Sequence, residues 1–210
     1  VRVECTVYRD FPVVEWVAWF TNKGDEPTPI IRDILAMDDA FTGASPAVYH
    51  CNGDYHSDEC YEPVETPLNA GDTLEFAPVG GRPCDHDFPY YRVMFEGCGL
   101  TMAIGWPGQW SVRFERLKEG VRIRAGQEVT HLRPQPGETI RTPRITLLSW
   151  TGDVTRAVNL WRRWYLTHIL PRPDGQPLKP LLAFGGTDEG KEWTEATEEN
   201  QLKYIEKTRR

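Results

Sequence analysis

Apolar and polar positions alternate through the first 150 residues. In "VRVECTV", Val1, Val3, Cys5 and Val7 alternate with Arg2, Glu4 and Thr6. This period of two predicts a strand with one buried face. Strands are also predicted at "VVEWVAWF", "IIRDILAM", "TLEF", "YYRVMF", "LTMAIGW", "WSVRFERL", "VRIRA", "EVTHLR" and "ITLLSW". Between them stand "NKGDEPTP", "EGCG", "KEG", "AGQ" and "PQPGE", which supply turn chemistry. Short strands at close spacing predict an antiparallel β-sandwich over residues 1–150. Two polar stretches interrupt the pattern, Tyr49–Pro63 and Val79–Pro89, and both are long for sandwich turns.

The period then changes. Val154, Ala157, Val158, Trp161, Trp164, Tyr165 and His168 fall at helical spacing, with Arg156, Asn159, Arg162 and Arg163 on the other face. Thr151 or Asp153 caps the start and Pro171 stops the end. The aromatic stripe predicts a helix docked on a sheet, with His168 as a packing residue. "PRPDGQPLKP" completes a second zone, residues 151–180, as a stiff connector. Residues 181–210 form a third. There "LLAFGG" reads as a buried strand and "EWTEATEENQLKYIEKTRR" as a helix, acidic early and basic late, as the helix dipole favours. A lone β–α unit cannot close a sheet; it reads as the first step of a larger parallel array.

Composition narrows the partners. The net charge of −7 over 210 residues argues against a nucleic-acid partner, which calls for a basic patch. No apolar run approaches the ~20 residues of a membrane helix. Val1 opens directly into strand-like sequence, so no signal peptide is expected. Five cysteines at irregular spacing give no disulfide framework. Cys51, His56, Cys60, Cys84 and His86 have the right types for zinc, but no close pair supports a site, so neither metal nor cofactor is expected. Nucleotide loops, nucleophile elbows and paired metal-binding histidines are also missing from the sequence. The loop acids Asp54, Asp58, Asp85 and Asp87 have the type needed for glycoside hydrolysis, but nothing in the sequence pairs two of them across a bond.

One stretch is distinctive. "AIGWPGQW" places Trp106 and Trp110 around Pro107 and Gly108, where a straight strand cannot run. Together with "AGQEVTHLRPQPGETIRTPRITLLSWTGDVTRAVNLWRRW", "FPVVEWVAWFTNKG" and "GGRPCDHDFPYYRV", it resembles the N-terminal domain of family 36 glycoside hydrolases, the α-galactosidases. The resemblance covers nearly the whole chain. It implies a large sandwich, a linker helix and the first β–α unit of a (β/α)8 barrel whose remainder would be a partner. It also implies an α-galactoside or related oligosaccharide as ligand, and a sandwich that shields the barrel or joins a homo-oligomer.

In that family a Lys-x-Asp motif of the barrel carries the nucleophile, with the acid/base aspartate further on. Here the only Lys-x-Asp is Lys23-Gly24-Asp25, in a turn, so both catalytic carboxylates are expected outside this chain. The sequence departs from the family at "EWTEAT" and at "GGRPCDHD", which leaves the sugar open. Trp106 and Trp110 read as structural. Trp193, after the carboxyl end of a barrel strand, is the aromatic candidate for sugar contact. Arg82, Asp85 and His86 are the polar candidates, because guanidinium, carboxylate and imidazole hold hydroxyls strongly. The rival reading is a stand-alone carbohydrate-binding sandwich.

Overall fold

The structure is a computed structural model that describes residues 1–54, 57–179 and 197–208. Its contacts divide the chain into Val1–His168 and Ile169–Arg210.

The first unit contains fourteen described strands: β1 (Arg2–Val7), β2 (Val13–Thr21), β3 (Ile31–Arg32), β4 (Leu35–Phe41), β5 (Ala47–Cys51), β6 (Pro63–Pro67) and β7 (Thr73–Phe76), followed by β8 (Tyr90–Phe95), β9 (Cys98–Gly105), β10 (Trp110–Leu117), β11 (Gly120–Gln127), β12 (His131–Leu132), β13 (Thr139–Arg141) and β14 (Arg144–Thr151). Every pairing is antiparallel. One sheet runs β1-β2-β14-β9-β8-β5-β6, with β13 also on β2; a second runs β4-β11-β10-β7; β12 pairs with β3. The mainly-β sandwich predicted from the sequence is the observed architecture.

The core lies between the two sheets. Val48, Tyr91, Val93, Met102, Ile104 and Ile145 of the large sheet meet Met37, Val112, Phe114, Val121 and Ile123 of the small one, all buried. β14 is buried on both faces. Ile145 and Leu147 join the core, while Thr146, Leu148 and Trp150 alternate with them toward the opposite face. A central strand of this kind reads as a continuous apolar run, which is why "ITLLSW" does not alternate cleanly.

Helix α1 (Val154–Trp164) packs on β14 and continues as a π-helical turn over Tyr165–Ile169. Of the two possible caps, the side chain of Asp153 accepts from the Arg156 N–H at 2.8 Å. Ala157 and Trp164 are buried; Trp164 meets Tyr8 edge-on and Trp161 meets Tyr90 edge-on. His168 packs against Tyr8, and its Nε2 lies 2.9 Å from Asp10.

Three local differences from the sequence reading have physical causes. "IIRDILAM" is two strands, because Asp33 takes a left-handed backbone (φ 56°) between β3 and β4. "EVTHLR" pairs only over His131–Leu132. β1 forms, but its apolar face is open, with Val3 61% and Val7 71% exposed. β1 is the edge of the larger sheet, and the smaller sheet ends at β4, where the Ala36 carbonyl accepts from the Trp16 indole of β2.

In the second unit, a short 3-10 turn covers Pro173–Gly175 and helix α2 covers Glu198–Thr208. Glu199 and Lys203, one turn apart, pair at 2.6 Å. The "LLAFGG" stretch and Trp193 lie outside the described residues.

Candidate functional site

The two long polar stretches, distant in sequence, are joined. Gly53 N–H donates to the His86 carbonyl (2.7 Å), Asp54 N–H to the Cys84 carbonyl (2.6 Å), and Phe88 N–H to the Cys51 carbonyl (3.3 Å). Asn52 and Asp87 form a bridge between them. The approach requires a glycine, since a Cβ at Gly53 would sit 1.9 Å from the Cys84 carbonyl oxygen. The first stretch is not wholly loop, because its opening residues Tyr49–Cys51 belong to β5.

The second loop, between β7 and β8, turns sharply. Gly80 and Gly81 are both left-handed (φ 68° and 73°), and so is His86 (φ 68°). A left-handed non-glycine residue is uncommon and tends to occur where surroundings fix it. The fixing comes from within: Val79 N–H donates to the Asp85 carbonyl and Asp87 N–H to the same oxygen. It also comes from the "GQW" of the distinctive stretch. Gln109 accepts from Gly81 N–H at 2.9 Å and donates to the Pro78 carbonyl; the Trp110 indole N–H donates to the Pro83 carbonyl at 2.8 Å. Trp110 is fully buried, so its role is structural. Trp106 is half-buried, with the Arg141 guanidinium over its ring at 4.9 Å.

Three of the four candidate residues converge at this loop. Asp85 is 4% exposed. One of its oxygens pairs with Arg82 and the other lies 2.8 Å from His86 Nδ1. The His86 contact, then the Arg82 charge, hold the Asp85 carboxyl below the usual carboxylate range. Arg82 and His86 themselves stand in solvent. The arrangement is a buried carboxylate orienting two exposed nitrogen-bearing groups, suited to donating hydrogen bonds to a polar neutral ligand. Asp85, with both oxygens engaged, acts as a positioning group. Asp87 differs: burial pushes its carboxyl up, against the Ala77 N–H that donates to it.

Two residues of this surface escaped the sequence reading. Gln109 was visible only as part of a motif. Tyr61, 48% exposed with a left-handed backbone, sets its ring edge-on to Phe88, which stacks on Tyr90. Among the described residues, no three His, Cys, Asp or Glu groups come together as metal ligands; His56 lies outside them.

A two-sheet antiparallel sandwich carrying one docked helix, with polar loops laced at one end, defines the class of domain. No family profile matches the sequence, and neither does any curated protein. Solved structures match the fold. The GH36 alpha-galactosidase AgaA from Geobacillus stearothermophilus aligns with TM-score 0.64 at 20% identity, over 80% of this chain and 25% of that one. The alpha-galactosidase from Lactobacillus brevis aligns with TM-score 0.67 at 14% identity, over 80% and 23%. The galactosidase domain of the alpha-galactosidase-sucrose kinase AgaSK aligns with TM-score 0.67 at 18% identity, over 80% and 24%. This chain therefore has a sandwich fold found within GH36 α-galactosidase structures, and spans about a quarter of their length. Variants of the Geobacillus AgaA were solved with raffinose and with stachyose.

Proposed function

We propose that this chain is the non-catalytic β-sandwich region of an α-galactosidase-like retaining glycoside hydrolase acting on α-galactosyl oligosaccharides. The observation that carries the reading is the fold match over 80% of the chain to several α-galactosidase structures. The resemblance of "AIGWPGQW" and "PGETIRTPRI" to that family's sandwich points the same way. The one Lys-x-Asp of this chain, Lys23-Gly24-Asp25, falls between β2 and β3, where the Gly24 N–H donates to the Asn22 side chain. The nucleophile and acid/base are accordingly assigned to a barrel beyond these residues.

In this reading the loop surface faces the sugar. Arg82 and His86 donate to its hydroxyls, and Asp85 holds both in position. The ligand class is that of the raffinose and stachyose bound by the AgaA variants.

Two measurements test this. The 210-residue chain alone gives no turnover of an aryl α-galactoside, and enzyme-like turnover by it refutes the assignment. In the complete enzyme, Arg82→Ala and Asp85→Ala each lower kcat/KM by about tenfold, the scale of a lost charged hydrogen bond. Unchanged kinetics with unchanged stability remove the loop from the site.

A further inference from the structure

The face of the small sheet turned away from the core carries a groove. On β10, Val112 and Phe114 point into the core, so Ser111, Arg113 and Glu115 project outward; on β11, Val121, Ile123 and Ala125 leave Arg122 and Arg124 on the same outer face. Register sets Glu75 of β7, Arg113, Arg124 and Asp38 of β4 in one row across the four strands. The next row holds Ser111, Gly126 and Leu35. That row is low, because Ser111 is small and Gly126 has no side chain. On its far side the register shifts between Ala125 and Gly126, and Asp33 turns the chain with a left-handed backbone. The groove so formed has a volume of about 470 Å³, and Leu35, Ala77, Ser111, Arg113, Arg124 and Gln127 are among its walls. That volume falls within the roughly 300–1,000 Å³ of small-molecule sites.

The polar groups of this groove are open to solvent. The Arg113 side chain is 44% exposed and that of Arg124 35%. Arg113 gives one terminal nitrogen to Glu75, and Arg124 gives one to Glu115 at 2.8 Å. The Ser111 hydroxyl and the Gln127 side-chain oxygen are reached by water and have no protein partner among the described residues. The charge pattern selects the ligand. Two guanidiniums stand opposite each other in the middle of the row, which is unfavourable unless carboxylates neutralise them, as Glu75, Glu115 and Asp38 do here. A cation laid in the middle meets both guanidiniums. A polyanion meets the wall carboxylates of Asp33, Glu75 and Glu128. A neutral polyhydroxyl ligand accepts from the guanidiniums and donates to the carboxylates at once. Leu35 and Ala77 offer apolar surface to the C–H face of a sugar ring.

We propose that this groove is a binding site for a neutral oligosaccharide, its hydroxyls held by Arg113, Arg124, Glu75 and Ser111 and one ring laid on Leu35 and Ala77. None of Arg82, Asp85 and His86 lines it, so the sandwich holds a sugar chain at a second place.

The test titrates the 210-residue chain with raffinose, stachyose and maltotriose to roughly 100 mM, far above the millimolar Kd expected of a few hydrogen bonds on an open surface. Raffinose and stachyose are chosen on the reading proposed above, and maltotriose tests the groove without it. Amide NMR is the readout, because it separates Ser111, Arg113 and Gly126 in the groove from Gly81 and Asp85 in the loop. Saturable shifts of the groove amides are expected with at least one sugar. Arg113→Ala weakens this binding about tenfold, the scale of a lost charge-assisted bond. Ser111→Ile fills the floor and abolishes it, while both variants melt as cooperatively as wild type. Should Ser111→Ile fail to fold, Arg113→Ala and the shifts decide. Saturation by maltotriose alone upholds the groove and counts against the α-galactosyl reading. Three outcomes overturn the proposal: no saturation with any of the three sugars, shifts confined to the loop amides, or equal saturation by sodium citrate or spermidine, which marks an unspecific charged surface.

Discussion

Replacing Trp110 with phenylalanine tests whether the "GQW" turn holds the polar loop from inside. Trp110 is fully buried, its ring edge-on to Tyr91 at 6.2 Å, and its indole N–H donates to the Pro83 carbonyl at 2.8 Å. Phenylalanine keeps the aromatic contact with the core but cannot donate. The carbonyl then loses its partner in a partly buried place, which costs about 1–3 kcal/mol. The smaller ring leaves unfilled space, which adds about 1 kcal/mol. A loss of about 2–4 kcal/mol is therefore expected, a fall in Tm of about 4–16 °C for a chain of this size. Urea unfolding measures the first quantity and calorimetry the second. Amide exchange gives the discriminating readout: Gly81 and Asp85 amides lose protection by more than those of Val93 or Ile123, because the missing bond ends on the loop. A loss under about 0.5 kcal/mol, within the range of an ordinary surface change, refutes the reasoning. So does a loss spread evenly over loop and core.

The same loops give two more expected outcomes. Gly53→Ala forces a Cβ to within 1.9 Å of the Cys84 carbonyl oxygen, and backbone must move, so a cost of about 2–3 kcal/mol is expected in urea unfolding; a neutral variant shows the loops are not held together at this point. Asp85 has a lowered folded-state pKa, so its stabilising contribution is complete above the ordinary carboxylate value and disappears as pH falls through the lowered one. The stability gap between wild type and Asp85→Asn is therefore full above about pH 5 and closes below about pH 4, with Asp87, whose pKa is raised, present in both proteins. A gap that stays constant through acid unfolding shows that the Asp85 charge is not what Arg82 and His86 hold.

Local pattern made most of the sandwich legible, and the failures mark where pattern carries no information. β5 and β6 carry no strand signal of their own, because "AVYHC" mixes polar and apolar residues and "PVETP" is bracketed by prolines. The prolines are tolerated because β6 is the sheet edge, where a missing ladder donor faces outward. That position is a property of the whole sheet and not of five residues. β1 shows the converse: its alternation correctly gave a strand and wrongly implied burial. Whether Val3 and Val7 are covered depends on how far the opposing sheet extends, and four strands do not reach under the edge of the larger sheet. The break at Asp33 rests on a single left-handed residue of a kind that also occurs in regular strands.

The site was legible by residue type and hidden in its wiring. Arg82, Asp85 and His86 stood out as a polar run, but sequence could not say that Asp85 is buried while its two partners are exposed. Nor could it say that the other polar stretch, some thirty residues earlier, is tied to the same loop through Gly53. That wiring changes what the family resemblance means. The side chains of the motif residues Gln109 and Trp110 hydrogen-bond loop backbone, at Pro78, Gly81 and Pro83. A scaffold gripped by its backbone tolerates changes in the side chains it displays. The loop "GGRPCDHD" resembles the family's through Gly80, Gly81 and Arg82, so it keeps the two left-handed glycines, and it departs from Pro83 onward. If the loop faces the sugar as proposed, specificity resides in Arg82 and His86, and the "GQW" turn fixes where they stand whatever the sugar is.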